Sequence, residues 1–91
     1  MVDDNKSIAY YNIMNEDYSM TGRKVALKIK FERMKKNLSQ EELALSAGLS
    51  RNSIWKIETG KVSPTIETLD KIARALEIDF STLTDISKVE L

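Results

Sequence analysis

The sequence contains no cysteine and no histidine. Without thiols, neither disulfide bonds nor thiolate metal sites can support the fold, and without imidazole the usual zinc sites and catalytic triads are excluded. No glycine-rich phosphate loop or catalytic carboxylate pair is present either, so we do not expect an enzyme. No apolar run could span a membrane, and no signal peptide opens the chain. We expect a cytoplasmic protein of one small domain, without metal or cofactor.

The chain also lacks net charge, because 14 basic side chains balance 14 acidic ones. That balance alone argues against nucleic-acid binding. The charges are nevertheless unevenly distributed: residues 1–22 carry one basic and four acidic side chains, residues 23–64 carry ten and four, and residues 65–91 carry three and six. Positive charge is therefore concentrated where contact with phosphate groups would need it. An ordinary solvated charged surface is the alternative interpretation.

Start and stop signals predict an all-α fold with five helices behind an N-terminal extension. Asn37 tolerates the left-handed conformation that ends a helix, and Gly48 suits a tight turn. Ser39 and Glu42 have the spacing of a capping box. The expected helices cover about residues 22–36, a segment from the Ser39 cap through Ala47, residues 51–58, a segment after Thr65 with apolar Ile66, Leu69, Ile72, Ala73 and Leu76, and a short helix after Asp79. This divides the chain into an extension (1–22), a domain (23–85) and a tail (86–91).

Residues 38–63 predict two short helices that meet across a tight turn. Their seam would be filled by Leu43, Ala47, Leu49, Ile54 and Ile57. The outer face of the second helix would then carry Arg51, Asn52, Trp55 and Lys56. In a helix-turn-helix, such a helix reads base edges, and Arg suits guanine while Asn suits adenine. A helical hairpin with a solvated polar face is the alternative.

Several spaced motifs resemble the Cro/lambda-repressor-like (XRE) helix-turn-helix family. They are Ser39-Gln-Glu-Glu-Leu-Ala, Ala47-Gly-Leu-Ser, Ile54, Ile57-Glu-x-Gly-Lys, and Pro64 followed by Leu69 and Ile72-Ala-x-Ala-Leu. The resemblance covers about residues 23–84. It implies a five-helix DNA-binding domain that binds double-stranded DNA, usually as a homodimer on a pseudo-palindromic operator. A prokaryotic or phage-type transcriptional regulator is the function it favours.

The resemblance also implies roles for individual residues. The base-reading positions fall on Arg51, Asn52 and Lys56. Positions that commonly contact the DNA backbone or brace the readers fall on Gln40, Ser50 and Lys61, and we assign Ser53 and Trp55 to the same group. Arg33 and Glu58 match a pair that often forms a partly buried salt bridge. Trp55 departs from the family pattern, and it either contacts DNA or packs locally against the stem of Lys56 or Lys61.

The first helix departs from the pattern as well. Glu32 stands where the family often has an aliphatic residue. Val25 and Ile29 face one side of the helix, whereas Leu27, Phe31 and Met34 face the other. The second apolar face needs a cover, and the candidates are the extension, with Tyr10, Tyr11, Ile13 and Met14, or a partner subunit. A flexible arm that leaves Phe31 partly exposed is the alternative.

The C-terminal apolar residues exceed what a short last helix can bury. We therefore expect a dimer contact from Phe80, Leu83, Ile86 and Val89. A different function also stays open, namely an antitoxin-like or adaptor module that binds a protein partner through the acidic, tyrosine-bearing extension. Loss of a partner after deletion of residues 1–22 would favour that second function.

Overall fold

The computed structural model describes the backbone of residues 4–91 and the side chains of residues 20–91. Residues 4–91 form five helices and no strand, which confirms the predicted all-α class. No helix among the described residues is long and apolar enough to cross a membrane. The helices are α1 (Asp4–Lys35), α2 (Gln40–Ala47), α3 (Arg51–Glu58), α4 (Ile66–Leu76) and α5 (Phe80–Thr84).

The first helix is longer than predicted. It begins at Asp4, so the expected start near residue 22 is wrong. Residues 4–21 contain neither proline nor glycine, and Gly22 alone does not break a helix because it costs only about 1 kcal/mol relative to alanine. The backbone of residues 4–21 is thus continuous with that of the rest of α1. The side chains of Tyr10, Tyr11, Ile13 and Met14, on which the docking prediction depended, lie outside the described ones.

The ends of the shorter helices follow the predicted capping signals. Ser39 Oγ accepts a hydrogen bond from the Glu42 N–H, and the Glu42 carboxylate accepts one from the Ser39 N–H, both at 3.0 Å. Gly48 ends α2 with φ 69°, and Asn37 follows α1 with φ 56°. Asp79 precedes α5 but makes no side-chain capping hydrogen bond.

A single core joins the five helices. Its fully buried side chains come from each helix: Ile29, Leu43, Ile54, Ile72, Leu76 and Leu83. The burial of Leu83 contradicts its predicted place in a dimer contact, because none of its surface is available to a partner. Ile66 was expected on the buried face of α4 but is 77% exposed. It lies in the first turn of α4, before the helix reaches the core.

The two apolar faces of α1 have different surroundings. Ile29 is buried in the core, whereas Phe31 is 61% and Met34 is 56% exposed. Residues 88–90 of the C-terminal segment lie beside Phe31, at the edge of this second face. Within the described part of the chain, Phe31 and Met34 therefore remain exposed, whereas Leu27 on the same face is partly buried beside Leu91.

Glu32 is a buried acidic residue on α1. One carboxylate oxygen lies 3.2 Å from Lys28 Nζ and 3.4 Å from Lys35 Nζ. Burial by itself would raise the pKa of Glu32, but the hydrogen bonds and positive charges of the two lysines outweigh it. The pKa of Glu32 consequently lies below its ordinary value of 4.5.

Candidate nucleic-acid interface

The turn between α2 and α3 positions the candidate interface. Gly48 adopts the left-handed conformation, and the Leu49 N–H donates to the Ala44 carbonyl at 2.8 Å. This bond satisfies one of the free carbonyl groups at the end of α2 and directs the chain into α3. Leu43, Ala44, Ala47, Ile54 and Ile57 are buried in the predicted seam, with Leu49 partly buried beside them. The orientation of α3 is therefore fixed by its apolar face.

The opposite face of α3 presents polar side chains to solvent. Arg51, Asn52 and Lys56 are all exposed. Ser50 caps the helix by accepting from the Ser53 N–H at 3.0 Å, and the two hydroxyl groups are 2.8 Å apart. The three candidate readers thus share the outer side of a helix whose N-terminus is held by two serines.

Arg51 lies close to the start of α2. It lines a shallow depression together with Arg33, Ser39, Gln40 and Glu41. The depression joins the N-terminal ends of α2 and α3, where free backbone N–H groups and the helix dipoles favour an anion. The fold thus brings one candidate base reader and one candidate backbone contact to the same surface.

Trp55 is paired with Lys61. The Lys61 ammonium lies 4.7 Å from the centroid of the indole ring, within the range of a cation–π contact. The Thr59 hydroxyl donates to the Trp55 carbonyl at 2.8 Å and so closes the end of α3. Trp55 thus has a local contact with Lys61, made by the charged head of the lysine, and its contact with DNA stays a prediction. The pair remains exposed at the C-terminal end of α3.

A charged cluster ties α3 to α1 and α2. Arg33 Nε and Nη2 donate to the two carboxylate oxygens of Glu58 at 2.7 and 3.0 Å. The Arg33 and Glu58 side chains are only 11% and 2% exposed. Arg33 Nη1 also donates to the Leu38 carbonyl at 2.6 Å, and Gln40 Nε2 donates to Glu58 at 3.2 Å. The salt bridge implied by the family resemblance is present, with two further hydrogen bonds.

These further contacts were not predicted from the sequence. Gln40 was considered for its position at the helix start, yet its amide binds a carboxylate 18 residues away. The Leu38 carbonyl could not have been identified, since any residue supplies a carbonyl group and only the path of the chain between α1 and α2 places this one. The local sequence around Arg33 gives no signal for either contact.

Residues 29–83 match the model described as "Helix-turn-helix". The chain belongs to this helix-turn-helix family. The family is one of DNA-binding transcription regulators, so the resemblance drawn from the motifs is confirmed.

Two curated relatives are phage proteins. The chain is 37% identical over 73 residues to the "ImmF control region 10 kDa protein" of Bacillus phage phi105, which covers 78% of this chain and 81% of that protein. It is 31% identical over 64 residues to the "Cryptic phage CTXphi transcriptional repressor RstR" of Vibrio cholerae. This match covers 70% of this chain and 58% of that protein. Among solved structures, the restriction-modification controller protein C.AhdI from Aeromonas hydrophila superposes with a TM-score of 0.66 at 33% identity, covering 67% of this chain and 92% of that one.

Proposed function

We propose that this helix-turn-helix protein regulates transcription by binding a specific operator sequence as a homodimer. The observation that carries the proposal is the two-sided character of α3. One side is buried against α2 and fixed by the Arg33–Glu58 pair, while the other side exposes Arg51, Asn52 and Lys56. A rigid helix with an exposed polar face suits insertion into a major groove.

Direct readout would come from the N-terminal half of α3. The guanidinium of Arg51 can donate two hydrogen bonds to O6 and N7 of guanine, and the amide of Asn52 can pair with N6 and N7 of adenine. Lys56, one turn further along, can reach a neighbouring base. Each good bidentate contact discriminates against a wrong base by about 1–3 kcal/mol.

Phosphate contacts would flank the readers on both sides. The start of α2, beside Gln40, offers backbone N–H groups to one phosphate. The amide of Gln40 itself is engaged by Glu58, so this residue acts mainly as a brace. At the other end of α3, Lys61 and the indole N–H of Trp55 can contact the backbone of the same groove. Such contacts fix the register of α3 without reading sequence.

The dimer would place two copies of α3 about 34 Å apart, which is one turn of DNA. Phe80 remains exposed at the start of α5, and Ile86 and Val89 are partly exposed in the tail. These three residues are the remaining candidates for a contact between protomers, since Leu83 is buried. Symmetric pairing through this surface would make the operator pseudo-palindromic.

Occupation of a promoter is the mode of regulation that this small domain can supply. The named relatives include a phage repressor, a phage control-region protein and a controller protein, which supports a role in transcription regulation. The same bound dimer can block polymerase or assist it, depending on where the operator lies.

Selection of bound duplexes from a random library tests the proposal. The full chain should enrich a pseudo-palindromic consensus with half-sites about one helical turn apart. Arg74→Ala is a suitable control, because Arg74 is an exposed basic residue of α4 that pairs only with Asp70 among the described residues. The control should select the same consensus. Recovery of all sequences with equal efficiency would refute a specific regulator.

A further inference from the structure

The chain turns sharply at the end of α3. Gly60 adopts the left-handed conformation, with φ 74°. Its N–H donates to the Ile57 carbonyl at 3.1 Å, and the Lys61 N–H donates to the Lys56 carbonyl at 2.9 Å. These two bonds form a Schellman motif, which satisfies free carbonyl groups at a helix end and folds the following residue back onto the helix. The backbone position of Lys61 relative to α3 is therefore fixed.

This turn accounts for the contact between Lys61 and Trp55. In a Schellman motif, the side chain after the left-handed residue commonly packs on a side chain about one turn before the helix end. Here the first side chain is Lys61, and the ring beneath its ammonium group is that of Trp55, at 4.7 Å. The ring is 38% exposed and Lys61 is exposed. The fold thus holds a cation at a defined place on the surface of α3.

The charge of Lys61 is available to a ligand. The acidic side chain of α3, Glu58, is 2% exposed and is directed inward to Arg33. None of the salt bridges between described side chains includes Lys61. The C-terminal end of a helix carries a partial negative charge, which repels a phosphate group. A cation held at this end of α3 reverses that repulsion.

We propose that Trp55 is a positioning residue that holds Lys61 in place for one backbone phosphate of bound DNA. This role rests on the proposed DNA binding and adds a coupling between two of its residues. A free lysine side chain has many rotamers, and fixing it in a complex costs conformational entropy. The indole ring attracts the ammonium group before DNA arrives, so part of that cost no longer opposes binding. An ammonium group has three N–H donors, and those directed away from the ring can donate to the phosphate.

Titrations of the full chain with DNA at several salt concentrations test the phosphate contact. The probe is the duplex selected from the random library, or a mixed-sequence duplex if none is selected. Lys61→Met keeps most of the side-chain stem but removes the charge. It should reduce the slope of log K against log salt concentration by about 0.9 per bound subunit, because one counterion fewer is released. Arg74→Met is the matched control, since it removes one charge from an exposed side chain of α4. It should leave the slope unchanged.

A double-mutant cycle tests whether Trp55 acts through Lys61. Trp55→Leu should weaken DNA binding by about two- to fivefold, the change that corresponds to an exposed cation–π contact. In the Lys61→Met background, the same substitution should have no further effect. Trp55→Phe should recover most of the loss, because phenylalanine offers an aromatic face although it has no indole N–H. Far-ultraviolet circular dichroism checks the fold, and Trp55→Met replaces Trp55→Leu if that fold is lost.

The outcomes separate this role of Trp55 from the proposed function. Additive losses from Trp55→Leu and Lys61→Met would overturn the positioning role and leave specific DNA binding intact. Equal losses from Trp55→Phe and Trp55→Leu would also overturn it, because the effect would then belong to the indole N–H. Equal binding of all duplexes would refute the specific regulator alone, since a phosphate contact does not depend on base sequence. A chain that binds no duplex would overturn both proposals.

Discussion

At the scale of residues, the Arg33–Glu58 pair shows how a buried charge is made compatible with a small core. The carboxylate of Glu58 accepts hydrogen bonds from Arg33 and Gln40, and Arg33 also binds the Leu38 carbonyl. Because these side chains have hydrogen-bond partners, the cluster can hold α1, α2 and α3 in fixed positions relative to one another. Removal of one member would leave the other charged and poorly solvated.

Glu58→Ala should lower the free energy of unfolding by about 3–5 kcal/mol, because it leaves the buried Arg33 without its counterion. Asp70→Ala is the matched control, since it removes the carboxylate of the exposed Arg74–Asp70 pair, whose atoms lie 3.0 Å apart. That change should cost less than about 1 kcal/mol. Urea denaturation followed by circular dichroism measures both. Equal losses in the two variants would contradict a structural role for the buried pair.

Glu32 makes the stability of the fold depend on pH. Burial raises the pKa of Glu32, but Lys28 and Lys35 lower it by a larger amount. The pKa of Glu32 in the folded protein therefore lies below 4.5. A lowered pKa in the folded state means that the charged carboxylate stabilises the fold above pH 4.5, and that this contribution disappears as the pH falls through the folded-state pKa. Once the carboxyl group of Glu32 is protonated, it is neutral and is no longer attracted to the two lysines.

Glu32→Gln should therefore be less stable than the wild type at pH 7. The difference in unfolding free energy should shrink as the pH is lowered through 4.5 and below. Denaturant titrations of both proteins at several pH values measure this difference. A gap that stays constant between pH 7 and pH 3 would show that the charge of Glu32 does not contribute.

At the scale of elements, the glycines at positions 22 and 48 have opposite roles. Gly22 lies inside α1, where glycine is a poor helix former, and a Cβ added there would meet no atom within 4 Å. Gly48 has the same free space, but its φ of +69° is unfavourable for any residue with a side chain.

The two glycine-to-alanine variants should thus change stability in opposite directions. Gly22→Ala should raise the free energy of unfolding by up to about 1 kcal/mol. Gly48→Ala should lower it by about 1–2 kcal/mol, because alanine must adopt the left-handed conformation. Thermal or urea unfolding of the pair provides the comparison, and each variant serves as the control for the other. Destabilisation by both would mean that α1 needs glycine at position 22.

Both ends of α2 could be predicted because each is set by side chains only a few residues away. Ser39, Glu42 and Gly48 are local signals that act whatever the rest of the fold does. The start of α1 could not be predicted in the same way, since Thr21-Gly22 imitates a helix start inside a continuous helix. The exposure of Ile66 and the burial of Leu83 depend on where helices end relative to the core, which periodicity alone does not contain.

At the scale of the whole molecule, the zero net charge conceals an uneven distribution of charge along the chain. The basic residues are concentrated in the segment that contains the two-helix motif, and acidic segments flank it on both sides. In our proposal, the basic part contacts phosphate while α3 reads bases. The candidate readers could be predicted from the sequence, because their exposure follows from the seam. The hydrogen bonds from Gln40 to Glu58 and from Arg33 to the Leu38 carbonyl, which help to hold α3 in place, could not be predicted.

The central claim is that Arg51 reads a base, and comparison of single-base-pair variants of the selected operator tests it most directly. Wild-type protein and Arg51→Ala should be titrated with the consensus duplex and with duplexes changed at one position per half-site. The wild type should discriminate by about 1–3 kcal/mol at the position read by Arg51, and Arg51→Ala should lose discrimination there only. Arg74→Ala should keep it. A uniform loss of affinity across all duplexes, with every base preference intact, would contradict the account.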